Sequence, residues 1–392
     1  MLKCFIMKEK LWTKSFLILL LLGIFKSTAF TMIMPVITKH VIGFGATLTM
    51  AGVIAGLFAF AALVTRPVTG MIADRTNRKY LLLTSSICMC LATFLYSVAG
   101  TVELFIPARI LHGAAFSFSG TVTIAFAASL IPKSRLGEGL GYLGITHIIA
   151  MAVGPALGIF LGEKYGFNAT FLSACVLLII AILIILLLPN PGTTITEKSK
   201  INLKDFVSFK LLPLAIISGL FSLFNGIVAS FLVLLGDERG ILNIGLYFTV
   251  NAMCLLFVRP LAGKLIDRTS LGVVLIPCLL IAAVAAVLLG AAASIGMIIF
   301  AAVLKAISQG SGQPAVQTVC MKMLPPEKSG LAASTFFIGA DIGQGVGPIL
   351  GGMVSSSWGY NIMFYSCAVL LLCGVIIFIT YSAVQKKKQE SL

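Results

Sequence analysis

The chain is dominated by uncharged apolar runs of about twenty residues, the length that a helix needs to cross a bilayer. In lipid, only α-helices and closed barrels satisfy every backbone group. The runs are continuous and do not alternate, which favours helices over strands. The sequence therefore predicts an all-α membrane protein with twelve transmembrane helices. We number them spans 1 to 12, at residues 15–37, 47–71, 80–99, 104–130, 137–162, 168–188, 211–235, 242–264, 271–292, 294–320, 330–355 and 361–383.

Composition excludes the other classes of protein. Charged residues make up 10% of the chain, whereas a soluble protein carries about 25% and needs them to cover its surface. The net charge of +15 is concentrated at one side of the predicted spans, and only Lys39, Lys164 and Arg239 lie on the other side. By the positive-inside rule, both termini are cytoplasmic. The basic charge therefore reports orientation and not a nucleic-acid partner.

The two halves of the chain repeat each other at an offset of 193 residues. The segment 66–76 matches 259–269, and the same offset relates the Gly-Pro segment of span 5 to that of span 11. Because each half has an even number of spans, the halves are parallel repeats about an axis along the membrane normal. We predict an N-terminal six-helix bundle at 1–188, a cytoplasmic linker at 189–210 and a C-terminal six-helix bundle at 211–392.

The segment between spans 2 and 3 carries a family signature. It begins at Gly70 and continues as Asp74-Arg75-Thr76-Asn77-Arg78-Lys79, with Asn77 where the family has glycine. We expect Asn77 to keep a tight turn, because asparagine tolerates the left-handed conformation. The chain resembles the major facilitator superfamily over essentially its whole length, which implies that span 2 packs against span 11. It also implies a conformational latch at the cytoplasmic ends, formed by Gly70, Asp74, Arg75, Arg78, Gly263, Asp267 and Arg268.

Span 5 resembles the motif shared by drug:proton antiporters. Gly141 and the Gly154-Pro155 pair fit that motif, whereas Ala150 and Ile159 replace two of its glycines. Proline favours a kink, and glycine permits close helix packing. We expect a helix-packing kink at the interface between the halves, formed by Gly154, Pro155, Gly158, Gly347, Pro348 and Gly351. The resemblance implies a proton-driven exporter of a small organic molecule.

Ionisable residues at membrane depth cost roughly 2.5–3.5 kcal/mol each on insertion scales, so each marks a candidate site. Asp341 lies well inside span 11, and Arg66 lies at a similar depth in span 2 if the start of span 11 meets Asp74. We predict that Arg66 and Asp341 pair across the two halves and that Asp341 carries the exchanged proton. Arg109 in span 4 resembles a buried arginine of the same antiporter branch and completes the proton-coupling set.

Span 10 carries a polar stripe in which Lys305, Gln309, Gln313 and Gln317 recur at every fourth residue. This spacing places them on one helix face, which turns towards the bundle interior or a water-filled cavity. In the superfamily, spans 1, 4, 7 and 10 line the cavity. The resemblance implies a substrate cavity of Lys26, Thr31, His112, Ser119, Asn225, Lys305, Gln309 and Gln313. Lysines outnumber Asp341 there, which favours an anionic or zwitterionic solute.

Three functions are compatible with these features. We favour secondary active export by proton antiport with alternating access. The alternative is a proton-coupled importer of an organic anion or sugar on the same fold, and a third is a non-transporting receptor or scaffold. The sequence has no catalytic constellation, nucleotide motif or metal spacing, so we expect no enzyme activity, cofactor or metal. The expected partners are a small-molecule substrate, protons and the lipid bilayer of a bacterial cell membrane, and we expect a monomer.

Overall fold

The computed structural model describes residues 11–132, 135–190, 207–324 and 329–390. Within these ranges the regular structure is helical throughout. The helices are α1 Lys14–Ile33, α2 Ile37–Gly43, α3 Leu48–Arg75, α4 Arg78–Val98, α5 Val102–Leu130, α6 Leu136–Tyr165, α7 Phe167–Leu187, α8 Leu212–Glu238, α9 Leu246–Arg268, α10 Leu271–Ala291, α11 Ile295–Met323 and α12 Ser329–Glu390.

The predicted twelve spans are confirmed. Ten helices in the described part of the chain are long and apolar enough to cross a membrane, and span 8 contributes the shorter apolar helix Leu246–Ala262. Helix α1 is span 1, α3 to α7 are spans 2 to 6, and α8 to α11 are spans 7 to 10. Helix α12 contains spans 11 and 12, which are separated by a break at Gly359. Most of the predicted linker, residues 191–206, lies outside the described residues.

The outer surface of the bundle is apolar. Large hydrophobic side chains such as Val64, Leu187 and Phe257 are about two-thirds or more exposed, at 74%, 70% and 67%. A soluble monomer rarely exposes contiguous apolar surface on this scale. The surface therefore suits contact with lipid acyl chains.

The internal repeat is visible in the backbone geometry. Gly166 joins spans 5 and 6 with φ 86°, and Gly359 joins spans 11 and 12 with φ 80°, at the offset of 193 residues. A positive φ of this size is readily adopted by glycine and strained for most other residues. In both halves, therefore, a glycine with a positive φ makes the turn between the last two spans.

Asn77 does not adopt the left-handed conformation that we expected from the sequence. Its φ is −64°, and it is the N-cap of α4. The side-chain oxygen of Asn77 accepts hydrogen bonds from the backbone N–H groups of Lys79 at 3.0 Å and Tyr80 at 3.4 Å. Asparagine is a favoured N-cap residue because it satisfies the free N–H groups of the first helical turn. This role explains why glycine is not needed there.

Helix α3 packs closely against the first part of α12, as the resemblance implied. Gly52 lies against the backbone of Pro348, and Gly56 lies against the carbonyl oxygen of Gly345. The hydroxyl of Thr49 donates to the carbonyl of Gly352 at 3.5 Å in the same interface. Small residues here let the two halves approach at the end of the bundle opposite the chain termini.

Helices α6 and α9 form the equivalent contact in the repeat. Gly245, which is 193 residues after Gly52, lies against Ala156, the residue after Pro155. The hydroxyl of Thr249 donates to the carbonyl of Ala152 at 2.7 Å. The two halves are therefore joined by two related interfaces, α3 with α12 and α6 with α9.

The glycines of the two Gly-Pro segments face their own halves, which corrects our expectation that they pack between the halves. Gly154 and Gly158 approach Thr31 and Met32 of α1. Gly347 and Gly351 likewise approach α8, at Leu223 and Phe231. The spacing predicted a small-residue face but not which neighbour it meets. Other residues of α6 and α12 contact the opposite half, among them Ala152, Ala156, Gly345 and the backbone of Pro348.

We predict that Gly52→Ala destabilises the protein. The added methyl group would come within 3.0 Å of the Pro348 carbonyl carbon and 3.2 Å of the Gly352 Cα, so a backbone must move. Overpacking of this kind costs about 1–3 kcal/mol. The melting temperature of the detergent-solubilised protein measures the effect. Gly141→Ala is the matched control, because nothing lies within 4 Å of its new methyl group. Equal melting temperatures for the two variants would contradict the described interface.

Candidate functional site

A cavity of about 270 Å³ lies between the two halves and is lined by helices of both. The N-terminal half contributes residues of α1, α3, α5 and α6, and the C-terminal half contributes residues of α8, α9, α11 and α12. We call it the central cavity. Its charged and amide residues are Arg66, Arg109, Asn225, Asn251, Lys305, Asp341 and Gln344.

Arg66 of α3 and Asp341 of α12 form an ion pair across the two halves at the wall of the central cavity. Arg66 Nη2 donates to Asp341 Oδ1 at 3.0 Å, and Arg66 Nε lies against Oδ2. The guanidinium also lies over the ring of Phe337, 5.7 Å from its centroid. The pair therefore combines one charge-assisted hydrogen bond with the direct attraction of two opposite charges. The pairing predicted from the sequence is therefore present.

Arg109 of α5 is buried without a carboxylate partner in the described part of the chain. Its Nε and Nη2 each donate at 3.1 Å to the backbone carbonyls of Ile54 and Ala55 in α3. Its guanidinium lies over the ring of Phe58, 4.8 Å from the centroid. Arg109 is thus held by carbonyl oxygens and an aromatic face, and it keeps a full positive charge beside the central cavity.

Lys305 of α11 is 2% exposed and is surrounded by amide side chains. Its ammonium donates to Asn225 Oδ1 at 3.0 Å and to Gln309 Oε1 at 2.8 Å. Asn225 Nδ2 in turn donates to Gln344 Oε1 at 3.2 Å. These contacts join α8, α11 and α12 around an ammonium group whose partners are neutral.

The predicted residues Gln309 and Gln313 lie behind Lys305 in the same network. Gln309 Nε2 donates to Gln313 Oε1 at 3.4 Å, and Gln313 Nε2 donates to Ser222 Oγ at 3.1 Å. Neither residue is part of the wall of the central cavity. The stripe of span 10 therefore begins at the cavity with Lys305 and continues into the core of the C-terminal half.

An aromatic wall in the N-terminal half faces the cavity opposite this network. It consists of Phe30, Phe58 and Phe116. The rings of Phe30 and Phe116 are stacked with centroids 4.4 Å apart, and Phe58 lies 5.3 Å from Phe30 and 5.1 Å from Phe116. The sequence analysis did not find this wall, because apolar residues on a membrane helix give no signal of which ones face a cavity.

Lys26 and Ser119 do not line the central cavity, which corrects their predicted place. They line a second cavity of about 390 Å³ within the N-terminal half, beside the central one, and the two cavities share Phe30, Phe116 and His147. The Lys26 ammonium donates to Ser119 Oγ at 2.8 Å, to the Ser119 carbonyl at 3.3 Å and to Thr123 Oγ1 at 2.5 Å. Helical spacing fixed the depth of Lys26 but not the neighbour that its flexible side chain reaches.

Two further predicted cavity residues have different environments. Thr31 lines the central cavity, where its hydroxyl donates to the carbonyl of Ala150 at 2.8 Å. His112 is fully buried behind the aromatic wall, outside the residues that line the cavity, and its Nδ1 is 3.1 Å from the hydroxyl of Tyr96. The prediction for His112 was therefore wrong, because Phe30 and Phe58 stand between it and the centre.

Most of the predicted latch lies outside the residues whose side chains are described: Gly70, Asp74, Arg75, Gly263 and Asp267. Arg78 Nη1 donates at 3.1 Å to the carbonyl of Ala125 in its own half, and Arg268 is exposed. The role of this segment as a conformational latch remains a prediction.

An ion pair joins the halves at the end opposite the termini. Lys39 of α2 lies 2.8 Å from Asp237 Oδ2 of α8 and 3.7 Å from Glu163 Oε1 of α6. Beside it, the hydroxyl of Thr38 donates to the carbonyl of Ser230. The sequence did not indicate this contact, because these residues lie at span ends, where charge is ordinary.

No cluster of metal-ligating side chains occurs among the described residues.

Gln344 and Tyr247 are cavity residues that the sequence analysis missed. Gln344 follows Asp341 by three residues and therefore shares its helix face. This spacing was a usable signal. Tyr247 lies at the start of α9, where a tyrosine is also expected at a membrane interface, so its position gave no specific signal.

Comparison with known families gives a match over nearly the whole chain. The sequence model described as Major Facilitator Superfamily matches residues 17–242 and 214–392. Among curated proteins, the chain is 26% identical to the multidrug resistance protein MdtG of Serratia proteamaculans, over 93% of each chain. It is 24% identical to the protein of the same name from Escherichia fergusonii, over 97% of each chain.

Solved structures share the fold at low sequence identity. A POT family transporter in complex with 5-aminolevulinic acid matches with a TM-score of 0.82 at 13% identity, covering 94% of this chain and 96% of that one. The human organic anion transporter MFSD10 (TETRAN) matches with a TM-score of 0.69 at 16% identity, covering 93% and 98%. These similarities support the twelve-helix architecture.

We predict that Asn225→Leu destabilises the protein and that the double variant Asn225→Leu, Lys305→Met recovers stability. The single change leaves one N–H of a buried ammonium without its acceptor, which costs about 1–3 kcal/mol or more for a charged group. Replacing both residues with apolar ones leaves no unpaired ammonium N–H group. Melting temperatures in detergent measure both effects. A double variant that is less stable than Asn225→Leu would show that loss of the Asn225–Lys305 hydrogen bond does not cause the destabilisation.

Proposed function

Because the chain belongs to the major facilitator superfamily, a family of membrane transporters, we propose that it exports a small organic molecule by proton antiport with alternating access. The observation that carries the proposal is the Arg66–Asp341 ion pair, which joins the two halves at the wall of the central cavity. The curated relatives are named multidrug resistance proteins, and that name supports export over import.

Asp341 is suited to couple proton movement to the movement of the halves. It is the one carboxylate among the described residues that line the central cavity. When Asp341 is ionised, it attracts Arg66 and holds α3 against α12. A proton on Asp341 removes that attraction, so the halves are freer to separate at this level. Carboxylates inside membrane spans commonly serve as proton relays for the same reason.

The described conformation supports alternating access. Among the described residues, the close backbone contacts of α3 with α12 and of α6 with α9 lie at the end opposite the termini, together with the Lys39–Asp237 pair. The Arg66–Asp341 pair joins the halves nearer to the centre. The distribution of lysine and arginine supports placing the termini in the cytoplasm. The conformation is then the inward-facing one, in which the cavity is closed to the outside and receives cargo from the cytoplasm.

We predict that Asp341→Asn abolishes transport driven by a pH gradient, because an amide cannot bind and release the proton. The measurement is uptake into everted membrane vesicles with an acidic interior, using carboxyfluorescein as an anionic probe and ethidium as a cationic probe. Uptake by the variant should fall to that of vesicles lacking the protein. An importer that couples proton and solute in the same direction would instead expel the probes from these vesicles.

Glu103→Gln is the control for this experiment, because Glu103 is an exposed carboxylate at the start of α5. It should transport as the wild type does. Gel filtration must show that Asp341→Asn is folded. Undiminished gradient-driven uptake by a folded Asp341→Asn protein would remove Asp341 from the mechanism.

We predict that a disulfide between positions 156 and 245 arrests transport. A side chain at Gly245 would place its Cβ 3.4 Å from the Cβ of Ala156, close to the mean of about 3.8 Å for disulfides. The double variant Ala156→Cys, Gly245→Cys should lose uptake on oxidation and regain it with dithiothreitol, because the bond holds the halves together at one end. The controls are Ala156→Cys alone and Gly245→Cys alone, each of which keeps the nine native cysteines of the chain. Full uptake by the cross-linked protein would exclude alternating access at this interface.

A further inference from the structure

We propose that the central cavity binds an amphipathic organic anion in one orientation, with its acidic head at Lys305 and its apolar body on Phe30, Phe58 and Phe116. The inference rests on the proposed function in that it takes this cavity as the transport site. It adds the chemical class of the cargo and the wall that receives each end.

The internal repeat shows that the two walls of the cavity differ at equivalent positions. At the offset of 193 residues, Phe58 corresponds to Asn251 and Phe116 corresponds to Gln309. Phe58 and Asn251 both line the central cavity, so this helix position presents an aromatic ring on one side and an amide on the other. Gln309 lies behind the wall, where it accepts a hydrogen bond from Lys305. A cargo that suits both walls must have an apolar part and a polar part.

The polar wall offers hydrogen-bond donors. The Lys305 ammonium has three N–H groups, and its described partners, Asn225 and Gln309, accept two of them. The Tyr247 hydroxyl is buried in the same wall and has no hydrogen-bond partner among the described residues. Unused donors in a buried site favour a ligand rich in acceptor oxygens, such as a carboxylate, sulfonate or phosphonate.

The charge of the cavity favours an anion over a cation. The charge of Arg66 is balanced by Asp341, whereas Arg109 and Lys305 have no acidic partner among the described residues. An uncompensated buried charge is costly, and a bound anion lowers that cost. A lipophilic cation would instead add a third unbalanced positive charge.

The aromatic wall suits a flat apolar body. Phe30 and Phe116 stack with each other, and Phe58 lies against both. Ring systems pack favourably on such surfaces through offset or edge contacts. A cargo with its acidic head at Lys305 and its apolar body on these rings therefore contacts both halves of the protein at once.

Lys26 provides a matched comparison with Lys305. Lys305 is buried and Lys26 is half-buried, but the Lys26 ammonium already has three oxygen acceptors, from Ser119 and Thr123. All its N–H groups are used. Lys26 also lies outside the central cavity. Removing its charge therefore tests the effect of losing an intramembrane lysine without removing the anion contact.

The test is calorimetric binding to the purified full-length protein in detergent. The probes are naphthalenesulfonate, the smaller benzenesulfonate, and naphthylmethylammonium as the cation of matched shape. We expect naphthalenesulfonate to bind more tightly than benzenesulfonate and the cation to show no binding. Tight binding of the cation without binding of naphthalenesulfonate would overturn the proposal.

Three variants locate the two ends of the probe. Lys305→Met should weaken both sulfonates by a similar factor of roughly tenfold or more, the value of a charge-assisted hydrogen bond. Phe116→Gln, which installs the residue found at the equivalent position of the other half, should weaken naphthalenesulfonate more than benzenesulfonate. Lys26→Met should bind both as the wild type does. Lys305→Gln and Phe116→Leu replace any variant that gel filtration shows to be unfolded.

The outcomes separate this inference from the proposed function. Equal affinities in wild type, Lys305→Met and Phe116→Gln would exclude the central cavity as the anion site. If the expected ratios are found but no probe moves under a pH gradient, the anion site is supported and proton-driven export is not. If the gradient drives ethidium uptake while naphthalenesulfonate fails to bind, export is supported and the anion site is excluded.

Discussion

The cost of placing charge inside a membrane governs how this molecule is built. In lipid, no bulk water is available to solvate an ionised group, so each buried charge must find its partners within the protein. The structure meets this demand in three ways. Arg66 is paired with a carboxylate of the other half, Arg109 is held by backbone carbonyls and an aromatic ring, and Lys26 and Lys305 are held by neutral oxygens.

The internal repeat duplicates the contacts between the halves but not the chemistry of the cavity. Gly52 and Gly245 occupy equivalent positions and make equivalent close approaches to the opposite half. At the cavity wall, by contrast, Phe58 corresponds to Asn251, so an aromatic ring of one half stands where the other half has an amide. Close packing requires small residues on both sides of the pseudo-symmetry axis, whereas the amphipathic cargo that we propose has two different ends and needs two different walls.

Features that depend on the depth and the spacing of residues could be predicted from the sequence. Features that depend on which neighbour a helix face meets, or on how far a side chain extends, could not. The spans follow from apolar length, and the Arg66–Asp341 pair follows from two helices of known register meeting at one end. Lys26 and His112 have a predictable depth, but a long side chain bends to the nearest oxygens and a buried ring is hidden by its aromatic neighbours. Helical spacing alone predicts neither the oxygens that Lys26 reaches nor the rings that cover His112.

The repeat also explains why proton coupling is expected at one interface only. The equivalent of Arg66 in the second half is Arg259 of α9. No carboxylate is available at that position, since the equivalent of Asp341 in the first half is residue 148, an isoleucine. The α6–α9 interface therefore has the close packing of its counterpart without an ion pair that a proton can break. Of these two helix interfaces, only the one between α3 and α12 has an ion pair at the cavity wall, so the proton-sensitive contact that we propose belongs to α3 and α12.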